Sequence, residues 1–187
     1  MAILSIRIIG DPVLRTVAQD VTDFGPGLAK LIDDMHQTMR DVRGAGLAAP
    51  QVGVNKRVFT YSVDGQEGHV INPTLVACDD FALGEPEGCL SVPGLGYTVA
   101  RHRWVRMTGV DLQGNPLDME ATGMLAKCFQ HETDHLNGTL YVDRLEGEDR
   151  KDAFRAIRAA NFDSVTAQTV AQRAQSVGSA FGSGAGQ

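Results

Sequence analysis

Apolar residues recur at helical spacing early in the chain: Leu28, Leu31, Ile32, Met35, Met39 and Val42 share one face. That pattern predicts an amphipathic helix near the amino terminus, with Gly44 as its stop. Ahead of it, Ile6–Ile9 reads as a short strand-like stretch that turns at Gly10-Asp11-Pro12. From Lys56 to Glu120 the pattern becomes β. Val58–Val63 is rich in branched and aromatic residues, and the Asp64-Gly65 pair after it is a hairpin signal. A second hairpin is predicted through Trp104–Val110, turning at Gln113-Gly114-Asn115 and returning through Leu117–Met119. Pro73, Pro86, Pro93 and the nearby glycines predict that the rest of this region is broken into short strands and loops.

A second helix is predicted before Gly138. At roughly 100° per residue, Met124, Cys128, His131, Glu132 and His135 fall within about a quarter turn, and Leu125, Phe129 and Leu136 adjoin that sector. Lys127, Gln130, Asp134 and Asn137 fall on the opposite side, which suits solvent. Further on, Phe154 and Ile157 anchor a short helix with Arg155 and Arg158 outside. From Arg173 onward Gly, Ser, Ala and Gln dominate, which predicts a flexible tail. We therefore expect an α+β fold. Short mixed or antiparallel sheets pack around a central helix carrying the histidines, preceded by the amino-terminal amphipathic helix. One domain spans residues 1–150, and a carboxy-terminal helix and tail span residues 151–187.

Composition narrows the function. A chain of 187 residues fits one domain with a sizeable core, and its net charge of -6 argues against nucleic acid as the main ligand. No run approaches the roughly 18 apolar residues of a membrane span, and the first ten residues lack the features of a signal peptide. Three cysteines, Cys78, Cys89 and Cys128, are an odd count that suits a reducing compartment rather than a disulfide framework. The expectation is a cytoplasmic protein with no nucleic-acid or membrane function.

The candidate chemistry lies in His131-Glu132-Thr133-Asp134-His135, an HExxH motif. Residues four apart share a helical face, so His131 and His135 can bind one metal ion. Glu132 then sits where it can take a proton from water at the open coordination position. A catalytic metal commonly has a third protein ligand. The zinc-protease pattern HExxHxxGxxH is followed through Gly138, but Tyr141 stands where it needs histidine. Glu146 or Glu148 would suit another protease arrangement. Upstream, Cys89 lies in a glycine- and proline-rich stretch that can present a thiol to a metal, although free cysteines are often small buried hydrophobes. His36, His69 and His102 read as structural.

Three ordered motifs resemble those of the peptide deformylase family: Gly44-Ala45-Gly46-Leu47-Ala48-Ala49-Pro50-Gln51, Glu87-Gly88-Cys89-Leu90-Ser91, and Gln130-His131-Glu132-Thr133-Asp134-His135-Leu136. The opening Gly10-Asp11-Pro12-Val13-Leu14-Arg15 is similar to that family's amino-terminal segment, so the resemblance covers roughly residues 5 to 145. It implies a hydrolase that removes the formyl group from N-formylmethionine on new polypeptides, with Cys89, His131 and His135 as metal ligands. The implied metal is Fe²⁺, for which Zn²⁺, Ni²⁺ or Co²⁺ substitutes. Glu132 would be the general base, and Gln51 with the Leu90 backbone N–H would serve the formyl oxygen. Gly46 would offer main-chain bonds to an extended peptide. Met124 and Cys128, on the face of His131, would line the methionine pocket or pack in the core. Glu87 and Arg101 would pair to fix the cysteine segment. The stretch Pro93-Gly94-Leu95-Gly96-Tyr97, read as a loop, lacks an arginine that some members place near the substrate. Arg150, Lys151, Arg155 and Arg158 form either a solvated helix face or a ribosome contact.

Overall fold

The computed structural model describes residues 2–160, and the tail expected from Arg173 onward lies outside them. Among the described residues there are three α-helices, Pro26–Asp41 (α1), Gly123–Leu136 (α2) and Gly147–Ala159 (α3). Seven strands are Gly46–Ala48 (β1), Val58–Val63 (β2), Gln66–Ala77 (β3), Phe81–Cys89 (β4), Val92–His102 (β5), Trp104–Val110 (β6) and Pro116–Thr122 (β7). They form a five-stranded sheet in the order β1-β2-β3-β6-β7 and a two-stranded ribbon of β4 and β5. Among the described residues every ladder is antiparallel, and parallel pairing is confined to a single bridge between Gln19 and Lys56. The fold is thus α+β with antiparallel sheets.

The strand period of two decides what the large sheet covers. In β2, Phe59, Tyr61 and Val63 face a core shared with Cys128, Phe129 and Leu136 of α2. Val58 instead joins Leu28, Ile32, Met35 and Met39 of α1, so the sheet separates the two helices. Each fully buried large side chain contributes about 1.5–3 kcal/mol on removal from water. A third cluster joins the ribbon, through Cys89, Val92 and Val99, to Tyr141, Val142 and Ala153. Phe154 and Ile157 pack against that cluster while Arg155 and Arg158 remain exposed.

Both predicted hairpins are present. Asp64 and Gly65 have φ of 50° and 78°, the left-handed pair of a tight turn between β2 and β3. Other local expectations need correction. Helix α1 is stopped by Arg43 (φ 52°) rather than Gly44, and the Gly44 N–H closes the turn on the Met39 carbonyl at 2.8 Å. The stop is a left-handed residue one position early. Ile6–Ile9 joins no sheet; Arg7 N–H instead donates to the Gln51 carbonyl (2.7 Å) and Ile9 N–H to the Ser91 carbonyl (2.8 Å). The prolines do not break the β region into loops. Pro73 lies at a bulge in β3, while Pro86 and Pro93 lie within the ribbon, where the stretch read as a loop at 93–97 is part of β5. A two-stranded ribbon leaves outward N–H groups unpaired, so proline there costs no ladder bond.

Candidate metal centre

Three elements converge on one buried point. Helix α2 places His131 and His135 one turn apart, with ring centroids separated by 5.0 Å. Gly138 (φ 70°) ends this helix, as the sequence predicts. The end of β4 delivers Cys89, whose Sγ lies 3.2 Å from His135 Nε2. The potential ligand atoms of Cys89, His131 and His135 all lie within 4.8 Å of one another, and all three residues are buried. No other such group occurs among the described residues. The alternatives fall away: Glu146 and Glu148 are outside the cluster, and Tyr141 stacks on the His131 ring at 6.2 Å.

The donor set fits a thiophilic or borderline divalent cation. Burial opposes ionisation of Cys89, but the imidazoles of His135 and His131 outweigh it and hold the thiol well below its ordinary value. His131 Nδ1 lies 2.8 Å from Glu87 Oε2, so with Nδ1 donating to the carboxylate, Nε2 is left as the ligand nitrogen. Glu87 is fully buried and is held in turn by Arg101, at 2.6 Å and 2.9 Å. Burial works against the ionised form of Glu87, yet hydrogen bonds from Arg101 and His131 bring its pKa down to about 2.

Glu132 and Gln51 face the same point. Glu132 is 2% exposed, and burial pushes its carboxyl up to about 7. Its Oε2 has no protein hydrogen-bond partner. Gln51, on the short 3-10 turn Ala49–Val52, turns its Oε1 back to the Ala48 N–H at 2.8 Å. Its Nε2 is thereby aimed at Cys89 Sγ, 3.7 Å away, and at Ser91 Oγ, 3.3 Å away. The same amide is therefore both a loop cap and a donor facing the cluster. Leu90, directly after Cys89 in the turn into β5, is also buried.

A match to the family model for polypeptide deformylase spans residues 3–151. The chain belongs to the polypeptide deformylase family. It is 51% identical over 166 residues to the peptide deformylase of Acidothermus cellulolyticus, covering 89% of this chain and 92% of the relative. Identity to peptide deformylase 1 of Corynebacterium glutamicum is 47%, over 85% and 96% of the two chains. Among solved structures, the peptide deformylase of Legionella pneumophila aligns with a TM-score of 0.80 and 40% identity, over 88% of this chain and 98% of that one. The Synechococcus elongatus deformylase in complex with actinonin aligns at 0.77 and 39%, over 82% and 85%. Family membership sets aside both a zinc endopeptidase and a non-catalytic metal- or peptide-binding relative.

The remaining residues singled out from the sequence occupy distinct places around this deformylase site. Gly46 lies in β1, which pairs with β2 on one side and forms an edge of the sheet. A Cβ there would lie 2.3 Å from Glu132 Oε1 and 2.7 Å from its Cδ, so the glycine makes room for the carboxylate. Gly46→Ala is therefore expected to displace Glu132. A misplacement of about 1 Å can cost roughly 10²-fold in rate. Formate release should fall by about that factor while cobalt binding stays normal; unchanged kcat would refute the packing argument. Met124 borders a cavity of about 630 Å³ together with Trp104 and Lys127. Cys128 is fully buried, with its Sγ 3.4 Å from the Ala45 carbonyl.

One expectation about α2 is overturned. Lys127, Gln130 and Asp134 are 6%, 6% and 5% exposed, not solvated. The ribbon and the start of β6 cover that face. Gln130 bonds both backbone groups of His102, at 2.9 Å and 2.8 Å, and Lys127 Nζ reaches the Pro86 carbonyl at 3.4 Å. Asp134 is gripped by Arg101 and Arg144. Helical periodicity marks Asp134 as polar, and only the distant arginines reveal that it is paired inside. The other histidines stay out of the cluster: His36 lies 3.1 Å from Glu67, His69 Nε2 accepts from the Leu112 N–H at 3.2 Å, and His102 meets the Asp79 carbonyl at 2.7 Å.

Proposed function

We propose that Cys89, His131 and His135 hold a catalytic Fe²⁺, replaceable by Zn²⁺, Ni²⁺ or Co²⁺, and that Glu132, Gln51 and Leu90 serve the reaction around it. That reaction is the family's: hydrolysis of the formyl amide at the amino terminus of new N-formylmethionyl polypeptides, giving formate and a free amine. A bound divalent ion supplies the Lewis acid that makes water nucleophilic near neutral pH. Glu132 takes the proton that water gives up and passes it to the departing amine nitrogen. The single observation carrying this role is the buried, unpartnered Glu132 Oε2 beside the ligand cluster. Charge that develops on the formyl oxygen is met by the Gln51 Nε2–H and the Leu90 backbone N–H.

The substrate's backbone is read here as an extra strand along the open edge of β1 at Gly46, a mode that leaves side-chain selection to pockets. Met124 and Cys128 are assigned to the methionine pocket on the strength of their place on the His131 face of α2. In this reading α2 is the central catalytic helix, α1 the amphipathic helix behind the sheet, and residues 1–150 the catalytic domain. Action on new polypeptides supports a cytoplasmic location. No helix among the described residues is long and apolar enough to cross a membrane. A ribosome contact through α3 has weaker support: Lys151 and Arg155 pair with Glu148 and Asp152 on the same helix, and Arg150 donates to the Asp143 carbonyl.

Anaerobically prepared, iron-loaded protein tests the assignment with formyl-Met-Ala. Gln51→Ala should lower kcat about 10²–10³-fold, the usual cost of one oxyanion donor. A wild-type kcat in that variant would remove Gln51 from its role.

A further inference from the structure

Asp134 lies inside the HExxH motif but outside the ligand cluster, and at 5% exposure it does not face solvent. Its Oδ2 accepts from Arg101 Nη1 at 2.7 Å. Arg101 grips Glu87 with its other nitrogens, and Glu87 meets His131 Nδ1 at 2.8 Å. The path leaves α2 at Asp134, crosses β5 at Arg101 and β4 at Glu87, and returns to α2 at His131. Cys89 follows Glu87 by two residues on β4. A closed circuit of charged groups therefore ties the ribbon carrying the thiol to the helix carrying both imidazoles.

With His131 neutral, as a metal ligand must be, the charges in that circuit do not balance. Arg101 is one cation shared by two buried carboxylates, with side chains of Glu87 and Asp134 0% and 7% exposed. Arg144 supplies the missing charge from outside the motif. From the 3-10 turn Tyr141–Arg144 it holds Asp134 through two parallel bonds, Nε at 2.6 Å and Nη2 at 2.5 Å. Without it, Arg101 is drawn toward Asp134 and its hold on Glu87 weakens, which frees the ring of His131. Bidentate guanidinium–carboxylate pairs fix geometry as well as charge, and partners behind metal ligands commonly change affinity 10–100-fold when lost.

We propose that Arg144 and Asp134 are positioning residues for the metal centre, acting through Arg101 and Glu87 on His131. The proposal rests on the assignment of Cys89, His131 and His135 as the ligands. The test is Co²⁺ titration of the metal-free full chain, followed by the thiolate-to-cobalt charge-transfer band, with melting temperature measured in parallel. Arg144→Ala and Asp134→Asn should each weaken Co²⁺ affinity at least about 10-fold. Arg144→Lys, which keeps the charge, should recover most of the loss. Arg155→Ala, which breaks an exposed pair with Asp152, should leave affinity unchanged. A lowered melting temperature with wild-type Co²⁺ affinity in both Arg144→Ala and Asp134→Asn would reduce Arg144 to a structural tie and overturn the proposal. Absence of the band in the wild type would instead remove the ligand assignment itself, and the proposal with it.

Discussion

Replacing Glu132 with glutamine is expected to lower formate release from formyl-Met-Ala by about 10²–10⁴-fold, the range that a positioned proton carrier supplies. Glutamine keeps the volume that Gly46 accommodates, so the ligand cluster should remain intact and bind cobalt as the wild type does. The same substitution should stabilise the metal-free protein in one pH range. Burial raises the Glu132 carboxyl from 4.5 to about 7, so the fold favours its neutral form. The stability this gives is fully present below 4.5 and is lost as pH rises through about 7. Glutamine cannot ionise and escapes that loss. Thermal melts of the metal-stripped proteins should show Glu132→Gln as the more stable above pH 7, with the gap closing toward pH 4.5. Retained activity would exclude Glu132 as the proton carrier, and a gap independent of pH would contradict the burial argument.

Arg101→Ala is expected to be the most damaging single change to stability. Removing one partner of a buried ion pair costs about 3–5 kcal/mol because the other charge stays buried and uncompensated, and here two carboxylates lose a partner. Arg144 still holds Asp134, so most of the cost should fall on Glu87. Urea unfolding at pH 7 measures it; a loss below about 1 kcal/mol would place the pair among the weak surface bridges. The acid side adds a second reading. Glu87 has its carboxyl lowered from 4.5 to about 2, so its contribution is present above 4.5 and disappears as pH falls toward 2. Arg101→Ala should flatten the stability profile across that interval.

Much of this architecture is legible from local pattern. The two hairpins follow from turn chemistry at Asp64-Gly65 and around Gly114, and the spacing of His131 and His135 places both on one helical face. Cys89 depends on more than pattern. Its own surroundings leave a small buried hydrophobe open, and only three motifs in order single it out as a ligand. The failures share a cause. Periodicity assigns Lys127, Gln130 and Asp134 to solvent because it assumes a helix with one covered face, whereas the ribbon covers the other face of α2 as well. Each polar group there is satisfied by a residue far away in sequence, which no local window contains. Pro86 and Pro93 mislead in a similar way. They argue against a central strand, but a two-stranded ribbon consists wholly of edges.

The proposed ligands come from widely separated parts of the chain, Cys89 and His135 lying 46 positions apart. That separation fixes an order of events during synthesis. Cys89 is synthesised before both histidines, so for that interval its sulfur lacks the imidazoles that later lower its pKa. The charged circuit closes later still, when Arg144 emerges. A growing chain of this deformylase therefore has no complete centre until nearly all of its catalytic part exists.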